Sequence, residues 1–215
     1  SKVEIIHNWE DEEFIQPMDK EKNWFSEEHG LLDQFTILYS GNIGDFHDLE
    51  TLVEAASEFE DDDVGFLIIG EGDNKSNIVS LAEELDIKGD IVEFLPYQPW
   101  DDLPYSLTSG DVSVVTVKEG FEGICVSSKL YTAMAAGDPV LTVAQPDDDE
   151  SRIVGQFDAG IHVSQGDVDG VIDAIERWKS TPELVEKQGE NAREAFEENF
   201  TVDESIDHYY RMLMK

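Results

Sequence analysis

Residues 112–143, VSVVTVKEGFEGICVSSKLYTAMAAGDPVLTV, decide the fold class. Val112–Val117 is an almost purely apolar run, and Val140–Val143 is a second one. Between them lie a glycine-bearing loop and the helix-period stretch Lys129–Ala136, which a glycine and a proline end. Two strands that are apolar on both faces and are joined by a helix indicate a parallel sheet with helices on both sides.

The same alternation of apolar runs and helix-period stretches extends along the chain. The predicted strands are Val3–Ile6, Phe35–Tyr39, Val64–Ile69, Ile91–Leu95, Val112–Val117, Val140–Val143 and Ile161–Val163. The predicted helices are Leu49–Phe59, Ser76–Leu85, Trp100–Leu107, Lys129–Ala136, Val168–Lys179, Pro182–Glu198 and Val202–Leu213. Together they predict an α/β, Rossmann-like three-layer domain with a parallel sheet of about six strands. The region before Phe35 has weaker periodicity and is typical of a connector with a leading helix.

The charge of the chain is unusual. Its 215 residues include 14 basic and 50 acidic ones, a net charge of −36. An acidic partner surface, a calcium-loaded protein and a surface adapted to high salt are the three interpretations. The acids are dispersed from Glu4 to Glu204 and form no calcium-loop pattern, which favours the salt-adapted surface. Without a basic stripe, binding to a nucleic-acid backbone is disfavoured.

Three further features bear on location. Cys125 is the single cysteine, so no intrachain disulfide can form, which fits a reducing cytoplasm; a small packing residue is favoured over a reactive thiol there. No stretch of sequence is apolar enough to span a membrane, and no signal peptide is visible. The chain opens on the strand-like SKVEIIHNW, which is typical of an excised fragment.

Ligands of parallel sheets bind at the carboxyl ends of the strands, so four loops are candidates for chemistry. Ser40–Gly44 carries two glycines that could free N–H groups for a phosphate, or simply form a tight turn. Gly70-Glu71-Gly72 begins like a dinucleotide fingerprint but has Lys75 at the third glycine position, which favours a turn. In the third loop, Tyr97 and Trp100 could hold a planar base, although packing roles are favoured.

The fourth loop, Lys118–Lys129, leads into a helix that Ser127 or Ser128 can cap. The exposed N–H groups of a helix start attract an anion. Lys129 stands in the first turn, against the usual dipole preference for acids, and lysine is scarce in this chain. A phosphate contact for Lys129 is therefore favoured over an ion pair with a nearby acid.

Taken together, these segments resemble the C-terminal half of GT-B glycosyltransferases of family 4. The likeness runs through IIHNWEDEEFIQP, LYSGNIG, FLIIGEGDNKSNI, VEFLPYQPWDDLP and GDVSVVTVKEGFEGICVSSKLYTAMAAGDPVLTV. It is most similar to the subgroup that includes N-acetylfucosamine transferases of surface-polysaccharide synthesis. The resemblance implies a connector and leading helix over residues 1–34, a nucleotide-sugar-binding domain over 35–198 and a C-terminal helix over 199–215 that packs toward a missing N-terminal domain.

The resemblance also implies roles for individual residues. The donor and its phosphates would be bound by Gly41, Asn42, Gly44, Gly123, Ile124, Ser128 and Lys129. The nucleoside would be bound by Glu71, Gly72, Tyr97, Gln98 and Thr132. The wider family has two glutamates eight positions apart, which fall here at Ile124 and Thr132; Glu119 and Glu122 are the expected substitutes and the candidate catalytic carboxylates. His47 replaces a usual basic residue and is either a ligand or a plain surface residue.

The implied reaction is a retaining transfer of a sugar from a nucleotide diphosphate, such as UDP, to a glycan or lipid-linked acceptor. It requires no metal or other cofactor, and Asp147-Asp148-Asp149 is interpreted as an acidic loop or helix cap rather than a metal motif. The fragment alone would be inactive, and the whole enzyme would be cytoplasmic, with a possible peripheral contact to the membrane. A UDP-sugar 2-epimerase and a non-catalytic acidic interaction domain are the alternatives.

Overall fold

The computed structural model describes residues 5–59, 63–121 and 127–214. In these ranges six strands form one sheet in the order β3-β2-β1-β4-β5-β6, and every neighbouring pair is parallel. The predicted α/β, Rossmann-like fold is therefore confirmed. The strands are β1 (Phe35–Ser40), β2 (Val64–Ile69), β3 (Val92–Leu95), β4 (Val112–Thr116), β5 (Val140–Val143) and β6 (Gly160–Val163).

Helices cover both faces of the sheet. They are α1 (Trp24–Glu28), α2 (Glu50–Ala56), α3 (Lys75–Glu84), α4 (Leu103–Ser106), α5 (Ser128–Ala136), α6 (Asp149–Phe157), α7 (Val168–Ser180), α8 (Pro182–Asn199) and α9 (Val202–Leu213), with 3-10 turns at Lys20–Lys22 and Trp100–Asp102. All six residues of β2 are buried, which explains why this strand is apolar on both faces. None of the helices in the described ranges is long and apolar enough to cross a bilayer.

One sequence prediction near the chain start needs correction. Ile5 and Ile6 belong to no strand, so a strand is wrong there; residues 3 and 4 lie outside the described ranges. In the region predicted to hold a leading helix the structure has α1, which begins after Asn23, and the Asn23 side chain caps it by accepting a hydrogen bond from the Phe25 N–H at 3.0 Å. A 3-10 turn at Lys20–Lys22 precedes this five-residue helix.

The connector packs on the body of the domain rather than standing away from it. Ile15 is buried in the core that α5, α6 and α8 form against the sheet, and its carbonyl accepts a hydrogen bond from Arg193 at 3.1 Å. Lys20 pairs with Asp111, just before β4, at 2.6 Å. These contacts fix where residues 10–15 pass, and that path determines one wall of the site.

The strand order reverses direction between β1 and β4, the two central strands. The chain after β1 passes to α2, which packs with α3 and α7, whereas the chain after β4 passes to α5, which packs with α8. The two loops therefore leave the sheet toward opposite faces and open a crevice at the carboxyl ends of these strands, where open α/β sheets bind ligands.

Candidate functional site

A cavity of about 300 Å³ occupies this crevice. The connector, the loop after β1, the segment around α4 and the first turns of α5 form its walls. The cavity brings together five of the residues predicted for donor or nucleoside binding, namely Gly41, Asn42, Ser128, Lys129 and Thr132.

The loops after β1 and β2 continue the sheet beyond its strands. The N–H of Gly41 donates to the Ile69 carbonyl at 2.9 Å, and the N–H of Ile43 donates to the Glu71 carbonyl at 2.9 Å. Gly70 has φ +146°, and a Cβ there would overlap the Gly41 carbonyl oxygen. The glycines are thus needed for close backbone contact between the loops. The Gly41 N–H is committed to the last residue of β2, so a phosphate would need other donors.

Lys129 supplies the positive charge of the cavity and lies over the loop after β1. A Cβ on Gly41, which has φ +146°, would overlap the Lys129 side chain. The Lys129 ammonium lies 5.3 Å from the centre of the buried Tyr39 ring, close enough for a cation–π attraction. Gly41 therefore makes room for the lysine stem, and Lys129 is directed across the mouth of the loop where the sequence predicts phosphate.

His47 is a buried hydrogen-bond partner of the Lys129 ammonium. Its ring is 2% exposed, so a plain surface role is wrong. Nδ1 lies 2.9 Å from the Thr116 carbonyl, which can only accept, so Nδ1 carries the proton and Nε2 accepts from the Lys129 ammonium at 3.1 Å. Burial, aided by the charge of Lys129, lowers the pKa of His47 to about 4, which keeps the ring neutral at physiological pH.

The amino end of α5 is partly occupied by a carboxylate of the protein itself. Ser127 is the N-cap residue, as predicted, but its side chain makes no capping hydrogen bond. Its N–H donates to the buried carboxylate of Glu150 at 2.6 Å, and burial raises the pKa of that carboxyl group. An incoming anion would therefore meet the turn at Ser128 and Lys129 rather than the Ser127 N–H.

The predicted nucleoside residues divide into two groups. Glu71, Gly72 and Tyr97 lie together at the ends of β2 and β3, where the Tyr97 hydroxyl donates to the Glu71 carbonyl at 3.2 Å. The Gln98 amide donates to the Pro96 carbonyl at 2.9 Å, within its own loop. Thr132 instead lies in the cavity beside Lys129.

Two aromatic side chains, Phe14 and Trp100, form a shelf on the cavity wall. Their rings stack with centroids 4.5 Å apart and an interplanar angle of 13°. Trp100 is 68% exposed and Tyr97 is 53% exposed, so neither serves as a buried packing residue, the role that sequence favoured. The outer face of Trp100 is left open to a planar group.

The candidate catalytic carboxylates, Glu119 and Glu122, belong to the loop after β4. Glu119 is exposed near the start of this loop, where its N–H donates to the Gln165 side chain at 2.7 Å. Glu122, Gly123 and Ile124 lie outside the described residues. Gly44 is buried under the β1 loop, next to Phe46 and the Asn42 amide. The acidic run after β5 places Asp148 at the N-cap position of α6, where its carboxylate accepts from the Gln145 N–H at 3.0 Å.

A larger cavity of about 410 Å³ lies between the chain start, α6 and α9. Its two arginines are each paired within their own helix, Arg152 with Asp149 at 3.3 Å and Arg211 with Asp207 at 3.5 Å. The smaller cavity is the candidate site because it lies at the strand-order reversal and combines a lysine, a helix start and an aromatic shelf.

Sequence alone missed one residue of this cavity, Glu10, and left the role of the neighbouring His47 open. Glu10 accepts a hydrogen bond from the Thr132 hydroxyl at 3.0 Å. Nothing in the sequence distinguishes Glu10 from the acids beside it in NWEDEEF, and only the path of the connector brings it to α5. For His47 the available signal was its place in the loop after β1.

Comparison with known proteins agrees with this architecture. The family model described as "Glycosyl transferases group 1" matches residues 21–195. The chain is 35% identical over 109 residues to a putative colanic acid biosynthesis glycosyl transferase, WcaI of Escherichia coli, a match that covers 51% of this chain and 26% of that protein. It is 26% identical over 156 residues to the probable glycosyltransferase WbjE of Pseudomonas aeruginosa, covering 73% and 38%. The chain thus matches well under half the length of these relatives.

The fold is shared with a solved structure, Anabaena Alr3699/HepE in complex with UDP, with a TM-score of 0.85 and 15% identity over 98% of this chain and 57% of that one. At that identity the likeness concerns the fold alone. The family match, in contrast, covers most of the sequence. This chain belongs to the glycosyl transferases group 1 family.

Proposed function

We propose that this chain is the donor-binding half of a retaining, family 4 type glycosyltransferase that uses a UDP-sugar. The observation that carries the proposal is the placement of Lys129 over the glycine loop, beside the start of α5, in a cavity at the strand-order reversal. The family match and the relatives named as glycosyltransferases favour this function over a sugar-nucleotide epimerase or a non-catalytic interaction domain.

In the proposed mechanism the diphosphate lies at Ser128 and Lys129. Negative charge grows on the leaving diphosphate as the sugar departs, and a fixed ammonium and a helix start stabilise that charge most where it develops. His47 keeps the ammonium in place without competing for the anion, since its ring is neutral. The mechanism requires no metal ion.

The carboxylates of the β4 loop are proposed to act on the sugar. Glu119 is exposed in that loop, and Glu122 follows it in sequence. A carboxylate there would orient donor hydroxyls or stabilise positive charge at the anomeric carbon. Gly123 and Ile124 are proposed to contact the donor sugar, and Gly44 to support the diphosphate loop.

The wider biological setting is also proposed. The relatives are longer than the matched segment, so a further domain of the same enzyme would bind the acceptor, a glycan or a lipid-linked sugar. The resemblance to a subgroup that includes N-acetylfucosamine transferases makes a hexosyl transfer in surface-polysaccharide synthesis the favoured reaction. The net charge of −36 suits a cytoplasm of high salt, as in a halophile.

The test is UDP titration by calorimetry into the wild-type chain and into Lys129→Met, which keeps the stem over Gly41 but removes the charge. We expect UDP binding to weaken roughly tenfold or more, because a charge-assisted hydrogen bond contributes about 1.5–3 kcal/mol. Lys88→Met is the matched control, since Lys88 pairs with Glu83 on the surface at 2.6 Å. Equal affinity in wild type and Lys129→Met would remove Lys129 from the site, and no UDP binding by wild type would overturn the proposed function.

A further inference from the structure

The cavity has an acidic side as well as a basic one. The carboxylate of Glu10 reaches from the connector to α5, where Oε2 accepts from the Thr132 hydroxyl at 3.0 Å. Thr132 comes three residues after Lys129, which places it about 4.5 Å further along the helix axis. The cavity is therefore polarised, with an ammonium at the start of α5 and a carboxylate almost one turn further on.

The position of Glu10 is fixed by its own backbone. Its N–H donates to the Phe200 carbonyl at 3.1 Å, and Glu10 forms a parallel bridge with Thr201. Its other carboxylate oxygen, Oε1, accepts from the Asp11 N–H at 2.9 Å. Backbone and side chain are thus held on three sides, so the carboxylate is presented to the cavity in one orientation.

Glu10 retains acceptor capacity for a ligand. An ionised carboxylate offers about four acceptor positions, and the bonds from Thr132 and Asp11 use two of them. The remaining positions suit hydroxyl donors and repel phosphate oxygens. A ligand that fits both sides of the cavity carries an anionic group at Lys129 and neighbouring hydroxyls near Thr132, with a planar group for the Trp100 shelf.

We propose that Glu10 is a specificity-determining residue that binds the ribose hydroxyls of the nucleotide, with Thr132 as the residue that orients it. This inference rests on the proposed function, because it assigns one part of the nucleotide to the same cavity. Its consequence is a preference for ribonucleotides that depends on the connector rather than on a carboxylate of α5.

The test compares UDP with 2′,3′-dideoxy-UDP, which lacks both hydroxyls, by calorimetry on the 215-residue chain. For wild type we expect the dideoxy compound to bind roughly tenfold more weakly or worse, the loss associated with hydrogen bonds to a charged group. We define the affinity ratio as the dissociation constant of 2′,3′-dideoxy-UDP divided by that of UDP. In Glu10→Ala this ratio should fall close to one, even if UDP itself binds more or less tightly for other reasons. Glu13→Ala, which removes an exposed acid of the same segment, should keep the wild-type ratio.

The affinity ratio tests the role of Glu10, whereas UDP binding itself tests the proposed function. UDP binding by wild type with an unchanged ratio in Glu10→Ala, or a wild-type ratio of one, would overturn the role of Glu10 and leave the donor site standing. Absence of UDP binding by wild type would overturn both. If the alanine variant does not fold, Glu10→Gln replaces it, because its amide oxygen can still accept from Thr132. The expected affinity ratio for Glu10→Gln lies between the wild-type value and one.

Discussion

We expect the ionisation of Asp138 to lower the free energy of unfolding of this domain as the pH rises. The side chain is 8% exposed at the start of β5, and Ser113 donates a hydrogen bond to its Oδ2 at 2.7 Å. Burial raises the pKa of Asp138 from 3.8 to about 7, a rise that the Ser113 hydrogen bond opposes and the nearby charge of Asp111 supports. The folded chain therefore binds this proton more tightly than the unfolded chain.

The sign and size of the effect follow from the two pKa values. Below pH 3.8 the carboxyl group of Asp138 is protonated in both states, so it has no differential effect on unfolding. As the pH rises to about 7, the unfolded chain ionises first and stability is lost. Each unit between the pKa values is worth about 1.4 kcal/mol, so the free energy of unfolding should fall by about 4 kcal/mol through this window.

Asp138→Asn isolates the contribution, because asparagine still accepts from Ser113 but does not ionise. Urea denaturation at constant high KCl between pH 4.5 and 8 would give both stability curves. Because this range begins above the unfolded-state pKa, we expect the variant to gain about 3 kcal/mol relative to wild type between pH 4.5 and 8, with little further gain above it. Asp90→Asn, at an exposed acid, should run parallel to wild type. Parallel curves for Asp138→Asn as well would refute the assignment.

Three further predictions concern the site and the surface. Gly70→Ala should lose roughly 3 kcal/mol or more of stability in urea denaturation, because its Cβ would overlap the Gly41 carbonyl. Gly120→Ala, also at positive φ but with open space where a Cβ would stand, should lose only about 1 kcal/mol. Similar losses in the two variants would contradict the overlap. His47→Leu should weaken UDP binding roughly fivefold in calorimetry, because it removes the hydrogen bond to the Lys129 ammonium. His47→Gln should not, since glutamine can both donate to the Thr116 carbonyl and accept from that ammonium. Equal effects would show that the imidazole does not position Lys129. Raising KCl from 0.1 to 2 M should raise the melting temperature by roughly 10 °C through screening of the net charge of −36, and an unchanged melting temperature would count against self-repulsion.

The fold could be predicted because each strand carries its own signal. The strands from β1 to β6 appear as short, largely apolar runs between helices, and in β2, β4 and β5 burial on both faces leaves few polar positions to confuse the pattern. The failure at Ile5 and Ile6 has the same origin, since two isoleucines in a row imitate a strand that has no partner to pair with. Pairing is a long-range property that a local pattern does not contain.

The site could be predicted only in part, for a related reason. Gly41 and Gly70 were correctly expected at tight loops, but a glycine that contacts a ligand and a glycine that contacts a neighbouring backbone are identical in sequence. The contacts that shape the cavity join residues far apart in the chain, 82 positions for Lys129 and His47 and 122 positions for Thr132 and Glu10. No local spacing could reveal them.

Both charged sides of the cavity depend on α8, which contributes no side chain to it. Lys129 and Thr132 stand on α5, which packs on α8, while Glu10 is held by the Phe200 carbonyl at the end of α8. Thr201, which bridges to Glu10, also caps α9 by accepting from the Glu204 N–H at 3.2 Å. The distance between ammonium and carboxylate is therefore set by how α5 and the connector each meet α8. Substitutions at the α8–α9 junction should alter nucleotide preference without touching the nucleotide.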